Sequence, residues 1–240
     1  MTDWADLCRR GLNRPEKLPR YLFGLLAPSS RWGPEWRKRD GTVLFEPGGY
    51  AASPRTRPEF ASNLYREVDG LWAALDAHLD GGTVDRTLEV GCGYGRLSPW
   101  IATRAGSFVG VDPDERALGI ARRQYPDLAF ARGRAEALPI DDGSIDLLVT
   151  WTVLQHVADD RIADVVAEFR RTLSDDGVAV CCERVEPPGD DHLWPRSVES
   201  YDRLFDPMDL EGTYERPVEP TWGEAMATDR PPERVLVFRS

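Results

Sequence analysis

Apolar and polar positions repeat with two different periods along the 240 residues of this chain. Short apolar runs typical of buried β-strands end near residues 90, 112, 131, 150 and 183. Between them, apolar residues recur every three or four positions, which is the pattern of an amphipathic helix. The clearest stripes are 60–79, which ends at Gly81-Gly82, and 162–173, which Asp159-Asp160 is expected to cap. Strands that alternate with helices predict an α/β domain.

The region before the first long stripe has a different composition. Residues 28–58 are rich in Pro, Gly, Arg and aromatic residues and are expected to be irregular. A loop of this length in a compact protein is usually a lid or a binding segment, and tryptophans such as Trp32 and Trp36 argue against disorder. We therefore divide the chain into an N-terminal lid or acceptor segment, 1–82, whose last helix leads into the core, and a second domain, 83–240.

The most informative motif is the loop Leu-Glu-Val-Gly-Cys-Gly-Tyr-Gly at 88–95, which follows the first predicted strand. Glycines let a backbone approach a ligand closely. Glu89 stands before the loop, and Asp112 ends the next strand, so one acid is able to face an ammonium and the other the hydroxyls of a ribose. The rival dinucleotide fingerprint needs two residues between its last two glycines, whereas Tyr94 alone separates Gly93 from Gly95.

Three further motifs follow in a fixed order: Gly133-Arg-Ala-Glu-Ala-Leu-Pro139, the strand Ile145 to Thr150, and the segment Trp151 to Val157. With the glycine loop, they make the chain resemble the class I S-adenosylmethionine-dependent methyltransferases, in their small-molecule branch, over roughly residues 85 to 186. The resemblance implies a Rossmann-like, mostly parallel sheet of seven strands with an antiparallel C-terminal hairpin near 211–218 and 234–238. It also implies that S-adenosyl-L-methionine is the cofactor.

The same resemblance assigns residues to the two halves of the cofactor. Those expected to surround the methionine half are Glu89, Gly91, Gly93, Thr150 and Trp151. Those expected at the ribose and adenine are Asp112, Pro113, Ala135 and Glu136. Arg134 departs from the pattern, because an acid or Ser usually occupies this position and a cation cannot accept a hydrogen bond from the adenine amino group.

The net charge of −11 is unevenly distributed. Residues 1–57 hold 11 basic and 6 acidic residues, a balance of +5, whereas the remainder has a balance of −16. So acidic a body repels phosphates, which argues against a nucleic-acid partner. We expect a cytoplasmic protein with no integral membrane segment, because no apolar stretch is long enough to span a bilayer and no export signal is recognisable. The four cysteines show no metal-binding spacing, so no metal is expected.

The predicted chemistry is methyl transfer to oxygen of a small-molecule or glycan-type anionic acceptor, such as the carboxylate of a sugar acid. The basic N-terminal segment favours such an acceptor, and the residues expected to bind it are Tyr21, Arg55, Arg57 and Arg196, with Arg184 as a further candidate. One alternative is a neutral hydroxyl or amine of a natural product, with His156, or second His192, as the catalytic base. Another is a cofactor-binding regulator without turnover. If the acceptor is lipid-carried, the run from Tyr21 to Leu26 would make a peripheral membrane contact.

Overall fold

The computed structural model describes residues 35–39, 42–46, 58–185, 193–216 and 233–240. The strands are β1 (Glu35–Arg39), β2 (Thr42–Glu46), β3 (Val84–Val90), β4 (Ala105–Asp112), β5 (Ala129–Arg132), β6 (Ile145–Trp151), β7 (Leu173–Arg184), β8 (Asp209–Glu215) and β9 (Glu233–Arg239). The α-helices are α1 (Pro58–His78), α2 (Ser98–Ala102), α3 (Glu115–Gln124), α4 (Ile162–Thr172) and α5 (Val198–Phe205). Short 3-10 turns cover Asp80–Gly82 and Leu154–His156.

Seven strands form one sheet in the order β5-β4-β3-β6-β7-β9-β8. Strands β3 to β7 run parallel, and β9 pairs antiparallel with both β7 and β8. The predicted Rossmann-like sheet with an antiparallel C-terminal hairpin is therefore confirmed. The chain moves outward from β3 to β5 on one side and from β6 to β7 on the other. This reversal opens a crevice at the carboxyl ends of β3 and β6, where such sheets bind ligands.

Both faces of the sheet are covered by helices, which explains why its central strands are apolar almost throughout. Leu147, Val149 and Trp151 of β6 pack with α1 and α2 on one face. Leu148 of the same strand packs with α4 and α5 on the other. Because side chains alternate along a strand, each charged residue at a strand end is directed to one of these two faces.

Several local predictions are corrected. Residues 28–58 are not irregular throughout, since β1 and β2 pair as an antiparallel hairpin. Asp40-Gly41, a strong sequence signal for a two-residue hairpin turn, lies between the two strands. The Asp159-Asp160 cap is wrong: Arg161 precedes α4, and no side chain caps it. Within the described residues, no helix is long and apolar enough to cross a membrane.

Candidate functional site

The glycine loop after β3 lies at the crevice, and three of its residues have a left-handed backbone conformation. Gly91, Gly93 and Gly95 have φ angles of 73°, 56° and 80°, in the left-handed region that favours glycine. A β-carbon at Gly91 would overlap a methyl group of Val153. A β-carbon at Gly93 would meet no described atom within 4 Å. Gly91 is therefore needed for packing, whereas the space in front of Gly93 is open for a ligand.

Asp112 ends β4 beside this loop, and its carboxylate organises the loop. One oxygen accepts the Gly93 amide and the other the Asp114 amide, both at 2.8 Å. Burial raises the pKa of Asp112 to about 6, although the two amides oppose the shift. Each carboxylate oxygen retains a second lone pair. A ligand with two adjacent hydroxyls is able to occupy those positions, next to Pro113.

Glu89 lies one strand away, on the face of the sheet that α2 covers. Its carboxylate accepts a hydrogen bond from the Ser98 hydroxyl of α2. Burial raises the pKa of Glu89 to about 7; the Ser98 bond and the charge of Arg96 oppose the shift. A buried carboxylate without a full countercharge is stabilised by a cationic ligand. Glu89 of β3 and Asp112 of β4 thus present two buried carboxylates near the glycine loop.

The segment after β5 shows which residues contact Arg134, the arginine at a position where an acid or Ser is usual. Arg134 donates from Nε to Glu136 at 3.1 Å, and Arg161 contacts the same carboxylate oxygen. The Ala137 amide donates to the Arg134 carbonyl at 3.0 Å, closing a tight turn around Ala135. Arg134 therefore neutralises Glu136 instead of replacing the missing acceptor. The second oxygen of Glu136 is the remaining acceptor of this pair.

The turn after β6 is held by Glu183, a residue that the sequence analysis did not single out. Its side chain is fully buried, and its oxygens accept the amides of Val153, Leu154 and Gln155 at 3.0, 3.0 and 2.9 Å. The Thr150 hydroxyl donates to it at 3.2 Å. In the sequence, the feature that could have indicated Glu183 is its position as an acid at the end of an otherwise apolar strand.

Arg196 holds the opposite side of this turn. Its two terminal nitrogens donate to the carbonyls of Leu154, Val157 and Trp194 and to the Asp159 carboxylate, at 2.6 to 3.0 Å. Only 8% of the residue is exposed. These contacts use all four N–H groups of the terminal nitrogens, so Arg196 shapes the turn in this structure, and its expected role in acceptor binding stays a prediction.

A buried ionic cluster, also missed from the sequence, joins four segments. Glu67 of α1 contacts Arg96 of the glycine loop with one oxygen and Arg216, which follows β8, with the other. Arg216 also contacts Glu233 of β9. Burial alone would raise the pKa of Glu67, but the two arginines lower it. Arg216 also lies over the Trp151 ring, 5.8 Å from its centre.

Two side chains at the carboxyl ends of β6 and β7 have N–H groups without a described hydrogen-bond partner. Trp151 is 6% exposed, and its Nε1 has no hydrogen-bond partner in the described part of the chain. Arg184 ends β7, and its Nε is buried without a hydrogen-bond partner among the described residues. The carboxyl ends of β6 and β7 thus each carry one buried N–H donor without a described partner.

The remaining candidates divide by position. His156 lies at the end of the 3-10 turn and donates its amide to the Val153 carbonyl at 2.9 Å. Tyr21, Arg55, Arg57 and His192 lie outside the described residues. Among the residues that are described, no group of three or more His, Cys, Asp or Glu side chains could hold a metal ion.

Comparison with known proteins gives a consistent picture. Residues 87–177 match a family model described as a methyltransferase domain. A probable S-adenosylmethionine-dependent methyltransferase of Mycolicibacterium smegmatis is 36% identical over 126 residues, which are 52% of this chain and 47% of the relative. A demethylmenaquinone methyltransferase of Chlorobaculum tepidum is 31% identical over 126 residues, 50% of this chain and 51% of the relative. The chain thus spans about half the length of the curated relatives it matches.

Solved structures show the same fold. An S-adenosylmethionine-dependent methyltransferase of Mesorhizobium loti has a TM-score of 0.57 at 21% identity and covers 72% of this chain and 100% of its own. A similarly described methyltransferase of Leishmania major has a TM-score of 0.63 at 18% identity, with 74% and 73% covered. At these identities the likeness concerns the fold.

Proposed function

We propose that the chain, whose residues 87–177 match a model described as a methyltransferase domain, transfers a methyl group from S-adenosyl-L-methionine to a small or glycan-type anionic acceptor. The observation that carries the proposal is the pair of buried acids, Glu89 and Asp112, at the carboxyl ends of β3 and β4 beside the glycine loop. Glu89 would hold the ammonium group of the methionine half, and Asp112 would hold the ribose hydroxyls. Both carboxylates are buried at the crevice and have pKa values raised by burial, to about 7 and about 6.

The other half of the cofactor would lie along the segment after β5. Pro113 would contact the adenine, and the turn around Ala135 would offer it backbone groups. Glu136 would accept from the adenine amino group with the oxygen that Arg134 and Arg161 leave unused. Thr150 and Trp151 would adjoin the methionine end, since both stand at the carboxyl end of β6.

The bound cofactor would supply a methyl group already made electrophilic by its sulfonium. The residues of the chain would then align the acceptor behind that methyl group and exclude water. An acceptor carboxylate oxygen would form the new C–O bond while the C–S bond breaks and the sulfur keeps the electron pair. The products are a methyl ester and S-adenosylhomocysteine. No proton moves, so no base is required.

Three features support an anionic acceptor. Arg184 stands at the carboxyl end of β7, and its Nε is buried without a hydrogen-bond partner in the described part of the chain. Trp151 offers a second unpartnered N–H donor on the same face. The segment 1–57 carries a balance of +5 against −16 for the rest of the chain. We propose that Tyr21, Arg55 and Arg57 complete the acceptor site from this segment.

The experiment is to incubate the protein with methyl-labelled S-adenosylmethionine and fractionated cell extract, and then to identify the labelled product. The control is the same protein with Asp112→Asn, which removes the proposed ribose contact. A base-labile methyl ester on an acidic product supports the proposal. A labelled ether or amine would favour the alternative with His156 as base. Cofactor binding without label transfer into any fraction would favour a regulator.

A further inference from the structure

The turn that leaves β6 has a conformation that needs external support. Thr152 has a φ of 59°, which is rare for a β-branched residue and unfavourable by itself. Its amide donates to the Cys182 carbonyl at 2.7 Å. The turn leads directly to His156 and begins at Trp151. Its shape therefore fixes what the chain presents at this end of the crevice.

Two buried charged side chains hold this turn from opposite sides. The Glu183 carboxylate accepts hydrogen bonds from three consecutive backbone amides, at 153, 154 and 155. The Arg196 guanidinium donates hydrogen bonds to two backbone carbonyls of the same turn, those of Leu154 and Val157. The Gln155 side chain adds a third link, because its oxygen accepts the Arg184 amide at 2.9 Å. Two segments, the end of β7 and the segment that carries Arg196, thus converge on one short turn.

We propose that Glu183 is a positioning residue for the methyl-transfer reaction: with Arg196 it clamps the turn at 152–157, and the clamped turn places the methionine end of the cofactor against the acceptor. This rests on the proposed function, because the turn borders the cofactor site assigned above. Three converging amides require an acceptor with two oxygens. A glutamine has the same shape but only one acceptor oxygen, and its NH2 group would face an amide N–H.

The direct test is amide hydrogen exchange by NMR at Val153, Leu154 and Gln155, in the wild type and in Glu183→Gln. Loss of the clamp should reduce protection of these amides by about tenfold or more, because they would open without global unfolding. The binding of S-adenosylhomocysteine, measured by calorimetry, should weaken by about three- to tenfold. The matched control is Val178→Ala, five residues earlier on β7, which creates a cavity in the core far from the turn. It should lower stability but leave both readouts unchanged.

A pH series supplies a readout that a merely structural residue would not move. Burial raises the pKa of Glu183 to about 7, while its amide partners and Thr150 oppose the shift. Protonation would place an O–H donor among N–H donors, so protection in the wild type should fall as the pH drops through about 7. The titratable groups with an electrostatic interaction with Glu183 are Tyr201, Cys181 and Cys182. Burial raises the pKa of all three, so none ionises between about pH 6 and 8.

Each outcome decides for or against the clamp. Protection that is lost in Glu183→Gln, retained in Val178→Ala and pH-dependent only in the wild type supports it. Equal losses in both variants, or a wild type without pH dependence, would overturn it. If Glu183→Gln does not fold, the pH series on the wild type still decides. If the wild type does not bind S-adenosylhomocysteine, the proposed function fails, while the exchange data still report on the clamp.

Discussion

Asp112→Asn is the sharpest perturbation of the cofactor site, because it changes one charge and almost no volume. In the wild type the two carboxylate oxygens accept the amides of Gly93 and Asp114, each at 2.8 Å. Asparagine keeps one oxygen for one amide, while its NH2 group faces the other amide. The substitution therefore loosens the loop and removes the negative charge that the ribose hydroxyls would contact.

The size of the effect follows from those contacts. A hydrogen bond to a charged group contributes about 1.5–3 kcal/mol, so losing one weakens binding by about ten- to a hundredfold. Calorimetry with S-adenosylmethionine and S-adenosylhomocysteine should show this loss for both ligands. Asp146→Asn is the control, since that carboxylate pairs with Arg86 at the opposite end of the sheet. Unchanged affinity in Asp112→Asn, or an equal loss in Asp146→Asn, would refute the ribose assignment.

A pH titration of the same binding reaction tests whether the ligand binds the ionised form of Asp112. The pKa of Asp112 is raised to about 6 by burial, and the ligand would bind its ionised form. Affinity should therefore fall as the pH drops below about 6. In Asp112→Asn this component should be absent, leaving the component from Glu89, whose pKa is raised to about 7. Identical pH profiles for the two proteins would contradict the assignment.

Three further predictions separate parts of the site. Gly93→Ala should weaken cofactor binding more than it lowers thermal stability. Gly91→Ala should mainly lower thermal stability, because the new methyl group would clash with the Val153 side chain. Calorimetry measures the change in binding, and thermal unfolding measures the change in stability. His156→Ala should leave turnover within about threefold if the acceptor is a carboxylate, and a loss of about a hundredfold with intact cofactor affinity would instead indicate a base. Arg55→Ala and Arg57→Ala should raise the acceptor's KM, as should added salt, and unchanged acceptor kinetics with reduced stability would contradict an acceptor role.

The sequence by itself determined the alternation of strands and helices, the seven-stranded sheet through its family resemblance, and the position of the two acids beside the glycine loop. The alternation and the position of Glu89 are local, because a strand end, a glycine and an acid two residues before it remain neighbours in any fold. Asp112 reaches Gly93 across 19 positions, through the pairing of β3 with β4 that the resemblance implies. Asp114 is a further local feature, since its carboxylate caps the start of α3 by accepting the Arg116 amide at 2.9 Å. The hairpin of β1 and β2 was also readable from its Asp-Gly pair but was missed.

Only the tertiary structure decided which charged residues serve the fold and which remain available. Arg184 and Arg196 looked alike as basic residues near one strand end, yet Arg196 is bound to backbone carbonyls of a turn about 40 residues earlier in the chain. Glu67 accepts a hydrogen bond from Arg216, which lies 149 residues later in the chain. Glu183 accepts hydrogen bonds from three backbone amides that lie about 30 residues earlier. Sequence periodicity specifies the face on which a side chain lies but not what is packed against that face. The partners of a buried charge are set by strand order and register, which exist only once the sheet has formed.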